Sequence, residues 1–119
     1  METARVVAAV FGAIYVLLGL LGFAVGTPLF GLFEVNDFGN LVHVAIGLAL
    51  GYGVTSAATA IRITRRVGAI LVVLGLLGFL SADGFGFMPL GGNDIWLHLS
   101  TGAVLLANGI FETDDAPAT

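Results

Sequence analysis

The chain has 119 residues, 58% of them hydrophobic and only 10% charged, whereas a typical soluble domain carries about 25% charged residues. There are too few polar side chains to cover a water-soluble surface, so lipid must be the solvent for much of the molecule. The absence of cysteine excludes disulfides, thiolate metal sites and cysteine nucleophiles. Four basic residues against eight acidic ones leave no basic patch for nucleic acid, which is excluded as a partner.

Apolar stretches long enough to cross roughly 30 Å of hydrocarbon run from about Val6 to Val25, Leu41 to Ala60, Val67 to Ala82 and Ile95 to Phe111. They predict four transmembrane helices, the third and fourth short for a full crossing. Ala24-Val25-Gly26 resembles a signal-peptide cleavage site, but the apolar run before it is longer than such peptides use. Arg5, Arg62, Arg65 and Arg66 precede the first helix or lie between the second and third. The positive-inside rule then places both termini in the cytoplasm of a multi-pass cell-membrane protein. The outward connections, residues 27–39 and 83–94, hold Glu34, Asp37, Asp83 and Asp94 without a basic residue. Residues 1–111 are expected to form one transmembrane domain, followed by an acidic flexible tail over 112–119.

Gly12 to Phe23 reads GAIYVLLGLLGF and Gly68 to Phe79 reads GAILVVLGLLGF, differing only where Tyr15 becomes Leu71 and Leu17 becomes Val73. A second echo follows: His43 precedes Gly47 by four residues, and His98 precedes Gly102 by four. The expected fold is therefore an all-α integral membrane four-helix bundle made of two tandem two-helix hairpin repeats, about 5–60 and 61–111. Two crossings per half give both copies one orientation, a parallel repeat. Gly12, Gly19 and Gly22 share one side of the first helix, and Gly68, Gly75 and Gly78 one side of the third. Small residues let backbones approach closely in lipid, and the matching pattern suggests contact between the first and third helices. Gly47 and Gly102 leave space on the histidine-bearing faces of the second and fourth.

Ionisable groups inside a membrane are costly and are functional suspects by default, which singles out His43 and His98. Asp94 precedes His98 by four residues and shares its helix face. Asn40 precedes His43 by three residues, while Asp37 and Glu34 are near it only through a loop of unknown shape. Facing each other, the two imidazoles could ligate haem or a metal ion, share a proton or hold a small ligand. As structural groups, they would instead hydrogen-bond across helices and fix the packing. Asn93 or Asp94 could cap the fourth helix. Phe30, Phe33, Phe38, Phe85, Phe87 and Trp96 read as an interfacial aromatic belt rather than a ligand box. Ser100 and Thr101 can return their hydroxyls to the backbone and do not form a triad with His98. No metal-protease, P-loop, dinucleotide or nucleophile motif is present, so no catalytic residue is assigned and the protein is expected not to be an enzyme.

At LFGLFEVNDFGNLVHVAIGLAL, residues 29–50, and at FMPLGGNDIWLH, residues 87–98, the chain resembles the family called domain of unknown function 4383. The resemblance implies a small four-pass membrane protein with histidines at the starts of its second and fourth helices. Asn40, Val42 and His43 match the first motif, and Asp94, Trp96, Leu97 and His98 the second. Gly39 and Ile95 depart from it, and Gly39 stands where a further histidine is usual. The family lends no established activity. Two functional expectations follow: a non-enzymatic structural or accessory subunit packing with itself or a membrane partner through glycine seams, or a protein binding a ligand, haem or metal at His43 and His98 near the outer face.

Overall fold

The computed structural model describes residues 2–112; the tail expectation falls, from residue 113 on, outside them. The fold is all-helical: α1 (Glu2–Val25), α2 (Asp37–Tyr52), α3 (Ala57–Leu80) and α4 (Asn93–Phe111). Among the described residues no β-strand forms beyond an isolated bridge between Leu29 and Phe33. The 45 Å long axis matches the thickness of a bilayer with its headgroups. Three helical segments are long and apolar enough to cross a membrane: α1, α3, and α2 together with the turn that follows it to Thr55.

The third helix is not short. Ser56 caps it by accepting from the Thr59 amide at 3.1 Å, so residues 57–60 belong to α3, which reaches 24 residues. The chain turns between α2 and α3 through a single 3-10 turn, Gly53–Thr55. The second helix has 16 residues and is the shortest of the four. Arg62, Arg65 and Arg66 therefore ride on the first turns of α3 rather than in a connection. They still mark one end of the bundle: Arg5 Nε donates to the Val54 carbonyl at 2.9 Å, and Arg65 reaches the Gly109 carbonyl at 3.5 Å. At the opposite, acidic end, Gly26 closes α1 with φ +81°, its N–H donating a hydrogen bond to the Gly22 carbonyl. A left-handed residue after a helix favours glycine, which has no side chain to strain.

Packing is strongest within the pairs α1–α2 and α3–α4, and the glycines explain why. A Cβ on Gly47 would lie 2.6 Å from the Gly12 carbonyl oxygen, and one on Gly12 3.0 Å from the Gly47 oxygen. In the other pair, a Cβ on Gly102 would lie 3.0 Å from the Gly68 oxygen and one on Gly68 2.9 Å from the Gly102 oxygen. Each hairpin is thus closed by two glycines whose backbones touch. Gly19 faces the Asn40 carbonyl and Val44, and Gly75 faces Leu99. The sequence expectation that these glycines join the first helix to the third is corrected: a shared spacing identifies a face, and that face is used up inside each hairpin. Tyr15, Leu50, Val67, Leu71 and Leu105 form the central apolar core where the hairpins meet. Leucine, isoleucine, valine and phenylalanine side chains cover most of the remaining helix surface, with Val6, Leu17, Leu20, Leu48, Val73 and Leu76 at least half exposed.

Candidate functional site

At the acidic end, two loops cover the bundle and tie to each other. Asn36 caps α2 through its Oδ1, which accepts from the Gly39 amide at 2.8 Å, and its Nδ2 donates to the Phe87 carbonyl of the second loop at 3.0 Å. Asn93 answers from the second loop, donating to the Leu32 carbonyl of the first at 3.0 Å. Asn93 and Asp94 do not cap α4: Gly92 precedes that helix with φ 61°, and no side chain bonds its first amides. With Asn93 committed to the tether, Asp94 is free to turn inward. Phe30, Phe38, Phe85, Phe87 and Trp96 are all exposed at this end, as an aromatic belt requires.

Beneath the loops lie Asn40, His43, Asp94 and His98, each between 1% and 6% exposed. His43 lies about 9 Å along α2 from its start, and His98 about 7.5 Å along α4. Their rings meet edge to face, with centroids 5.8 Å apart. Tyr15 of α1 completes the row, its ring 5.5 Å from that of His43. The Tyr15 hydroxyl sits 2.6 Å from Thr101 Oγ1. Because Thr101 gives its single proton to the Leu97 carbonyl at 2.7 Å, Tyr15 is the donor. Ser100 likewise bonds the Trp96 carbonyl at 2.6 Å. Gly22 makes room for the Asn40 amide, which occupies the place of its missing side chain.

What distinguishes this row is its unmet hydrogen bonding. Both nitrogens of His43, both nitrogens of His98, both carboxylate oxygens of Asp94 and Oδ1 of Asn40 are buried without a protein partner. Buried polar atoms are ordinarily paired, and each orphan costs about 1–3 kcal/mol. Seven on four neighbouring residues make a concentrated exception. The structure therefore brings together all four sequence candidates, His43, His98, Asp94 and Asn40. It places Glu34 among the loops of the same end, lining cavities of about 380 and 330 Å³ with Asn36, Asp83 and Asn93, while the four buried residues line neither. Tyr15 was missed because a tyrosine on an apolar helix reads as core. Its replacement by leucine in the near-identical stretch at Gly68 to Phe79 was the available signal. Among the described residues no three His, Asp or Glu side chains converge as a ready metal cage.

Fold and site define a class: a small helical protein with membrane-length apolar helices and a buried, under-bonded histidine pair near one end. The chain belongs to the family described as domain of unknown function, DUF4383, whose model matches residues 5–111. No curated protein and no solved structure matches it.

Proposed function

We propose that this is a non-enzymatic, four-pass membrane protein that binds a small polar ligand at His43 and His98 near the outer face. The observation that carries the reading is the set of seven unpaired polar atoms on Asn40, His43, Asp94 and His98. Histidines serving only to hold helices together would have their nitrogens engaged. The accessory-subunit reading loses its main support, because the glycine seams it relied on are occupied within each hairpin. On this reading the two hairpins are tandem repeats of one orientation, related by an axis along the membrane normal. The arginine-bearing end faces the cytoplasm and the acidic end outward.

The test is stability in detergent. Replacing unsatisfied buried polar groups by apolar ones of similar volume removes a desolvation cost, so His43→Leu and His98→Leu should each raise the midpoint of thermal unfolding. A structural pair would lose bonds, and both midpoints would fall. For orientation, a cysteine at exposed Asp37 should react with an impermeant thiol reagent in intact cells. One at exposed Thr55 should be protected, and labelling there would reverse the topology.

A further inference from the structure

We propose that the ligand is a divalent transition-metal cation of the zinc and copper class, held between His43 and His98 with Asp94 as its counter-charge; this rests on the site reading above. Donor and acceptor inventory comes first. A neutral imidazole offers one donor and one acceptor, while the Asp94 carboxylate and Asn40 Oδ1 only accept. The unpaired atoms are therefore rich in lone pairs, and no basic side chain belongs to the cluster. Such a set rejects anions and suits a cation.

Charge narrows the choice. All four arginines belong to α1 and α3, at or towards the other end of the bundle. A buried carboxylate without a basic partner, beside two imidazoles, matches a cation. Two imidazoles then select among divalent ions, since nitrogen ligands favour zinc, copper and nickel while magnesium and calcium prefer oxygen. Geometry agrees. An ion about 2.0–2.1 Å from an imidazole nitrogen lies about 3.2 Å from the ring centroid, so two rings sharing one ion have centroids about 5 to 6.5 Å apart. The observed separation is 5.8 Å. With only two histidines converging, solvent or Asn40 completes the coordination, and the ion stays exchangeable. Haem fits less well, because Tyr15 packs against one face of the pair and bridges to Thr101.

The experiment uses the untagged full chain in detergent, stripped with a chelator and titrated calorimetrically with zinc, copper and magnesium salts. One zinc per chain is expected, bound at least about 100-fold more tightly than magnesium. His43→Ala with His98→Ala should abolish it, and Asp94→Asn should weaken it about 10- to 100-fold, as partners that act through a ligand do. Copper bound to the wild-type chain should show nitrogen coupling from imidazole in its electron paramagnetic resonance spectrum, a readout that needs no variant to fold. Zinc binding undiminished in the double variant, a copper spectrum without nitrogen coupling, or no binding by the wild-type chain would each overturn the metal assignment. If the metal assignment fails while His43→Leu and His98→Leu still stabilise the protein, the site binds a different donor, such as ammonium. If those variants are destabilised, the site reading fails with it.

Discussion

Where α1 meets α2, Gly12 rests on Gly47; where α3 meets α4, Gly68 rests on Gly102, and the backbones approach about equally closely. Nearer the acidic end the hairpins part company. Tyr15, Gly39 and Asn40 of the first hairpin stand at the sequence offsets of Leu71, Asp94 and Ile95 of the second. Even there the packing principle is shared, for Asn40 fills the space over Gly22 as Ile95 does over Gly78. Only the chemistry of the side chain differs. Close glycine contact therefore fixes the shape of each hairpin, while a few differences around His43 and His98 set the polarity buried at its acidic end. The row is lopsided, with an amide and a phenol from one hairpin and a carboxylate from the other.

This contrast can be broken most forcefully at the seams. Gly47→Leu and Gly102→Leu each drive a side chain into a neighbouring backbone that cannot yield, and each should cost about 3 kcal/mol or more, read as a fall in the unfolding midpoint in detergent. The two losses should be similar; a loss in one hairpin alone would show that only that seam bears the fold. Exchanging the chemistry above the seams should act with opposite signs. Ile95→Asn buries an amide against Gly78 where an isoleucine packs, and should destabilise by about 1–3 kcal/mol. Asn40→Leu removes an orphan acceptor over Gly22 and should leave stability unchanged or raised. Equal losses from both would mean that Asn40 is engaged structurally. The smallest effect belongs to Tyr15→Phe, which deletes one bond to Thr101 while leaving Thr101 bonded to Leu97, at about 0.5–1.5 kcal/mol.

The helical class and the two histidines were legible because both rest on one-dimensional signals: long apolar runs, and polar residues where polarity is expensive. The start of α3 was not, since Ala57 to Ile61 continues the apolar run of α2 and the turn between them is only Gly53–Thr55 followed by the cap Ser56. Glycine spacing identified the packing faces correctly but not their partners, because a helix face says nothing about which helix covers it. Asp94 looked like a capping residue by position. That it turns inward depends on Asn93 reaching the Leu32 carbonyl, a contact 61 residues away in sequence. Asn36, which caps α2 and tethers the loops, escaped for the same reason.

The core below the histidines consists of Tyr15, Leu50, Val67, Leu71 and Leu105, four of them with no solvent exposure and Val67 at 7%. Moving a bare ion through such a plug would cost on the order of 20 kcal/mol before relaxation, far more than a membrane potential of ordinary size returns, about 2.3 kcal/mol per charge for each 100 mV. The proposed site thus rests on an insulating floor. On that reading a ligand that enters from the acidic end leaves by the same route, and its binding would leave a bilayer electrically sealed.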